Sequence, residues 1–432
     1  MSEVLMRNRW LVVVGAVLIQ LALGAIYAWS VFTDFLKEPP YGFTATQTQI
    51  VFSVGLASFA VVMVLAGRWM AKVGPRTVAL TGGLFLGLGY VLGGFLGQTF
   101  ALQVLFIGLL GGAGIGLAYV TPIAVGMRWY VDKKGLISGL AVAGFGAGAL
   151  LWIQLAGPWG RLLYNLELFG LPGVQSVFVL YGVIFLVMVS IGALCMIYPP
   201  DGWQPAGYRP PQTAATERGT GTTEYESGQM LRTPQFYLIL LTFAFSAMAG
   251  LMTIGIIKLF GIDALQAGGL APERAAPIAA TAAGVFLALF NGAGRITWGI
   301  VSDRVGWRRS AVAMCVMQGA AMLVFFWMGQ TTALLFLGAA LIGFNFGGNF
   351  ALFPVATAET FGAKNVGKNY GWVFLAYGLA GIAGPVMAGN FKDMGAERGV
   401  EAWLPAFVIS GVLCLVAAAL VARVRPPRAL SV

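Results

Sequence analysis

Apolar stretches of membrane-spanning length recur along the chain, at residues 10–33, 46–66, 77–98, 100–127, 136–160, 175–197, 236–259, 276–301, 310–328, 331–357, 369–390 and 402–422. A hydrocarbon core about 30 Å thick takes roughly 20 helical residues. The pattern therefore predicts twelve membrane helices and an all-α integral membrane protein. The alternating ten-residue segments of a membrane β-barrel are missing. Polar interruptions are short, with one exception: residues 199–235 are rich in Pro, Gly, Thr and charge. Such a stretch cannot bury a core. It predicts a linker between a six-helix bundle at 1–198 and a second at 236–432. The apolar run behind Arg7 and Arg9 starts like a signal peptide, but it exceeds the short core of one and reads as the first span.

Composition sharpens this picture in three ways. Of 432 residues, 59% are hydrophobic and 10% charged, against about 25% charged in soluble domains. The 61 glycines suit membrane helices, which use small residues to bring backbones together. With no histidine in the chain, the commonest metal ligand and near-neutral proton carrier is missing. Cys195, Cys315 and Cys414 fall in separate apolar segments and read as small core residues. Neither a metal site nor a cofactor is expected.

The net charge of +10 is a topology signal. With the N-terminus inside, the N-tail, the even-to-odd loops, the linker and the C-tail carry nineteen Lys and Arg, and the outside loops carry six. That bias predicts both termini on the cytoplasmic side of the inner (plasma) membrane, with the lipid bilayer as partner and no nucleic acid. No obligate protein partner is evident.

The two halves echo one another. "GRWMAKVGPR" runs from Gly67 to Arg76 between spans 2 and 3, and "GIVSDRVGWRR" from Gly299 to Arg309 between spans 8 and 9. Each reads as a charged turn, and parallel repeats about an axis along the membrane normal would place them so. This repeated loop resembles the hallmark cytoplasmic motif of the major facilitator superfamily. The second copy holds Gly299, Asp303, Arg304, Gly306, Arg308 and Arg309. The first keeps Gly67, Gly74 and Arg76 but has Ala71 where the family has its acid. The resemblance implies a conformational latch that does not bind substrate.

Arg295 carries the candidate chemistry. It stands eight positions before Asp303, about 12 Å along a helix, which puts it near the membrane midplane. A charge there costs at least ~2.5–3.5 kcal/mol on insertion scales, and arginine cannot shed its proton. All sixteen acidic residues fall in loops or at span ends, with Asp34 and Glu359 closest to an apolar segment. The expected counter-ion is therefore a ligand, since a guanidinium matches a carboxylate through two parallel hydrogen bonds. Asn291 lies one turn earlier on the same face, continued by Leu287 and Trp298. A stripe of Gly284, Ala288 and Gly292 is expected to pack a neighbouring helix. Tyr27, Tyr119, Phe346, Phe350, Phe374 and Tyr377 could complete a small, mostly apolar box, with Asn345 and Asn349 on a face adjoining the two span-10 phenylalanines.

Several segments resemble the monocarboxylate transporters and the bacterial oxalate–formate antiporters. They are "MRWYVDKKGLISGLAVAGFGAG" with Gly139, Gly144 and Gly148, "SGQMLRTPQF", "LFNGAGR", "ALFP" and "NYGW". They are spread over both halves. The resemblance implies that Arg295 is the carboxylate-binding arginine and Tyr119 a substrate-lining tyrosine. Oxalate antiporters have a lysine in span 11, where this chain has Tyr377. One fixed positive charge suits one carboxylate. Animal monocarboxylate transporters have an aspartate where Asn291 stands, so the acidic half of their proton relay is absent.

These features lead to an expected secondary transporter of small monocarboxylates, of the lactate or pyruvate kind, coupled to protons and working by alternating access. Asp34 and Glu359 are the candidate proton carriers beside the substrate itself. Carboxylate exchange is the alternative. An enzyme is not expected, because the chain shows no nucleophile–base set and "GGAGIG" at 111–116 lacks the strand a dinucleotide site needs.

Overall fold

The computed structural model describes residues 8–157, 159–200, 202–205, 224–394, 396–425 and 427. Among the described residues, twelve helices are long and apolar enough to span a membrane: α1 Trp10–Ala28, α2 Ile50–Val73, α3 Pro75–Leu96, α4 Phe100–Trp129, α5 Lys134–Ala156, α6 Val174–Ala193, α7 Pro234–Ala267, α8 Pro272–Val305, α9 Trp307–Met328, α10 Thr332–Phe361, α11 Val366–Ala388 and α12 Glu397–Ala422. Several outrun the apolar stretch that predicts them. Apolar length reports the hydrocarbon core, whereas a helix goes on into the polar interface until a cap or a glycine stops it.

Local chemistry sets those stops. The Thr44 hydroxyl accepts from Gln47 N–H while the Gln47 side chain answers Thr44 N–H, a closed cap on the helix that becomes α2. The Thr233 hydroxyl caps α7 one-sidedly, accepting from Phe236 N–H, with Pro at the first position. The two charged turns prove much shorter than expected. Helix α2 runs through to Val73 and α8 to Val305, so nearly all the motif residues are helical. The chain reverses at single residues, Gly74 with φ 83° and Gly306 with φ 88°. A side chain is strained in that region of backbone space, which explains the glycine.

A constant shift of 232 residues carries Gly67 to Gly299, Gly74 to Gly306, Pro122 to Pro354, Gly135 to Gly367 and Gly139 to Gly371. The packing obeys the same shift. A Cβ on Gly67 would stand 2.1 Å from Gly367 O, and one on Gly299 would stand 2.3 Å from Gly135 O. The repeat is broken where chemistry enters, for Met63 shifts to Arg295 and Ala71 to Asp303.

The chain forms two compact units. The first gathers the described parts of Met1–Asp132 and Leu140–Tyr208 with Val366–Phe374, and the second those of Arg209–Asn365 and Leu375–Val432 with Lys133–Gly139. Trp29, Phe32, Phe178 and Tyr181 centre the first core; Phe260, Phe325, Trp403 and Phe407 centre the second. Helix α4 holds a π-helical stretch at Val104–Gly111 and α8 one at Ala282–Leu287. Such turns mark functional segments disproportionately often.

One packing expectation fails. A Cβ on Gly284 or Gly292 would meet nothing within 4 Å, so the stripe with Ala288 is not where a helix packs closely. The close approaches use Gly294 against Phe344 O, Gly343 against Leu287 O and Gly347 against Asn291 O. Spacing alone shows that small residues share a face, not that a neighbour meets it.

Candidate substrate site and latch

Arg295 lies on α8 two turns past the π-helical stretch and is wholly buried. Its Nε donates to Asn291 Oδ1 at 3.0 Å. Its Cζ stands 4.1 Å from the centroid of the Phe350 ring, a cation–π contact on one guanidinium face. Phe350 in turn meets Phe346 at 5.2 Å and Tyr377 at 5.6 Å between centroids. Five of the expected residues thus form one group in the second unit. The first turns of α5 complete its frame, because Gly139 lets a backbone come against the carbonyl of Arg295 itself; a Cβ there would stand 2.3 Å from that oxygen.

Tyr27, Tyr119 and Phe374 form a second group, in the first unit. Tyr119 meets Phe59 at 5.0 Å, Phe145 at 5.5 Å and Phe374 at 5.2 Å, and Tyr27 meets Phe145 at 5.1 Å. Pro122, inside α4, cannot give the N–H that Ala118 O would otherwise accept. Thr121 Oγ1 donates to that oxygen at 2.9 Å. Gln20 Nε2, from α1, donates to Tyr119 O at 3.3 Å and is wholly buried. Gln20 and Phe145 are missing from the expected box, although a lone glutamine inside the first span was the available signal. In the second unit Ser246, also unforeseen, donates to Asn349 Oδ1. A small pocket in the first unit, lined by Ile26, Trp29, Tyr90 and Ile107 among others, includes neither Arg295 nor any residue of the two groups.

The acid of the second motif copy meets the first turn of α5. Asp303 Oδ1 accepts from Gly135 N and Oδ2 from Leu136 N, both at 2.8 Å. A carboxylate at a helix start answers orphaned N–H groups and the positive end of the helix dipole. Arg308 Nη1 donates to Val424 O at 2.7 Å, while Arg304 and Arg309 are exposed. In the first copy Arg76 is exposed and Arg68 Cζ stands 5.1 Å from the Trp372 ring. Glu359 is half-buried near the end of α10, with Lys134 and Asp303 as electrostatic neighbours. The side chain of Asp34 lies outside the described residues.

The family model of the Major Facilitator Superfamily matches residues 9–385 and 273–431. The oxalate:formate antiporter of Oxalobacter formigenes is 28% identical over 432 residues, covering 98% of this chain and 93% of its own. Apicoplast pyruvate carrier 1 of Toxoplasma gondii is 25% identical over 456 residues, covering 85% and 81%. Among solved structures, the proton:xylose symporter XylE bound to 6-bromo-6-deoxy-D-glucose superposes with a TM-score of 0.66 at 14% identity, covering 95% of this chain and 94% of that one.

Proposed function

Because the chain belongs to the Major Facilitator Superfamily and is a multi-pass membrane transporter, we propose that its substrates are small monocarboxylates of the lactate or pyruvate kind, moved by alternating access with protons. The observation that carries this reading is Arg295: a permanent charge wholly buried in an apolar helix, held at Nε by Asn291 and covered on one face by Phe350. Held so, a guanidinium is preset to meet a carboxylate edge-on with paired N–H groups. The site's other groups are rings and amides, which suit a short chain bearing a keto or hydroxy group. Met63 stands at the position related to Arg295 by the repeat, so the scaffold supplies one fixed charge, as one carboxylate requires. The cytoplasmic placement of both termini and the proton roles of Asp34 and Glu359 belong to the same proposal.

Uptake of labelled lactate and pyruvate into proteoliposomes tests it. An inward proton gradient is expected to drive accumulation, and uptake indifferent to the gradient would rule out symport. The likeness to an oxalate:formate antiporter over nearly the whole chain favours exchange as second reading; uptake that demands internal carboxylate would select it. Arg295→Lys keeps the charge but loses the planar fork. It is expected to cut kcat/KM for either acid by about tenfold or more, the worth of one charge-assisted hydrogen bond. Unchanged kcat/KM would remove Arg295 from the site.

A further inference from the structure

The motif loses its acid in the first copy, at Ala71, yet the turn leading into the helix that this acid would serve is met by another carboxylate. By the 232-residue shift, Asp303 on Gly135 and Leu136 corresponds to position 71 on Gly367 and Lys368, the first turn of α11. About one turn earlier, Lys364 N–H donates to Glu224, at 3.0 Å to Oε2 and 3.2 Å to Oε1. Glu224 belongs to the tail of the linker, not to a motif.

The fit around this carboxylate is built. Gly362 turns the chain with φ 94°, and a Cβ there would stand 2.3 Å from the Glu224 carboxylate. Next along the linker, Tyr225 N–H donates to Phe361 O at 2.9 Å, and Asn365 Nδ2 donates to Tyr225 O at 3.1 Å. The Tyr225 ring meets Phe361 edge-on and is 1% exposed. Glu226 and Gln229 then close a reciprocal cap on the short helix Ser227–Met230, whose Met230 is buried. Residues 224–230 are therefore stitched to the α10–α11 turn before the chain enters α7.

We propose that Glu224 is the latch of α11, a carboxylate delivered by the linker in place of the one absent at Ala71. The two related helix starts are then held by different means, α5 by an acid of its own motif copy and α11 by an acid of the linker. Hydrogen exchange on the full-length protein in nanodiscs reads this without a substrate. Glu224→Ala is expected to speed exchange of amides 364–368 at least tenfold, with α5 and the rest of α11 unchanged; Glu224→Gln, which keeps an acceptor, changes it less. Ala71→Asp added to Glu224→Ala is expected to restore slow exchange at Gly367 and Lys368. Labelled-lactate counterflow should slow at least threefold in Glu224→Ala, with KM within twofold, and recover in the double variant. Unaltered exchange at 364–368, or no restoration by Ala71→Asp, would overturn the proposal. If every variant and the unmodified protein fail to carry lactate, the proposed substrate fails and the exchange rates still decide the latch.

Discussion

Asn291 shows how much one neighbour can do for a buried charge. Its amide oxygen takes Nε of Arg295 at 3.0 Å, which fixes the guanidinium plane without neutralising it, as an aspartate there would. Asn291→Leu keeps the volume and removes the acceptor. Hydrogen bonds to charged groups are worth about 1.5–3 kcal/mol, so KM for a carboxylate should rise by at least tenfold while kcat changes less. Equal KM in uptake assays would show that Asn291 does not orient Arg295. Arg295, Asn291 and their facing were legible because a charge in an apolar run has few explanations and because i and i+4 share a helix face. Gln20 and Glu224 were not. Their importance lies in which backbone groups they reach, Tyr119 O in one case and Lys364 N–H in the other, and those are long-range partners that no local pattern specifies. Near the linker Tyr130 is a milder instance: burial pushes its phenol up to about 12, so it stays neutral beneath Arg9, whose Cζ is 4.1 Å from the ring and whose guanidinium pairs with Asp132 at 2.8 Å.

Among the elements, α5 and α8 explain why the glycines of the span 4–5 fingerprint are glycines. Gly135 admits Gly299 O, Gly139 admits Arg295 O, Gly144 admits Val17 O and Gly148 admits Leu21 O, each within 2.8 Å of where a Cβ would be. All four targets are backbone, which cannot swing aside. Gly299→Ala would put a methyl 2.3 Å from Gly135 O. Overpacking of this kind costs about 1–3 kcal/mol, and it would also pull Asp303 off the start of α5. The expected result is a lower melting temperature in detergent and faster exchange at Gly135 and Leu136; an unshifted melting curve would show that the helices relax freely. The sequence made the motif recognisable but placed the turns too generously. Single-glycine reversals at Gly74 and Gly306 leave the charged residues on helix ends, and the π-helical stretches in α4 and α8 left no trace in hydrophobic periodicity. An extra residue in a helical turn shifts the register without changing which residues are apolar.

At the scale of the whole molecule, twelve spans and an internal repeat were legible because the bilayer reduces the choice of structure to helices that satisfy their own backbones. The units were less so. Lys133–Gly139 clusters with the second unit and Val366–Phe374 with the first, an exchange that reading along the chain does not reveal. The charge bias of nineteen inside to six outside makes a prediction here. Trypsin should cut the linker after Arg218 in inside-out vesicles and spare it in right-side-out ones; the opposite pattern would invert the topology.

Arg295 and Asp303 ride on the same uninterrupted helical segment, Ala288–Val305. A rod of this length transmits rotation and thrust with little loss, so an event at one residue is a load on the other. If a ligand on Arg295 changes the strength of the Asp303 grip on α5, thermodynamic reciprocity makes that grip change ligand affinity by the same factor. The chain then needs no separate relay between cargo and closure. One stiff helix would then be both the sensor and the lever, with the seven residues between Arg295 and Asp303 setting the gearing.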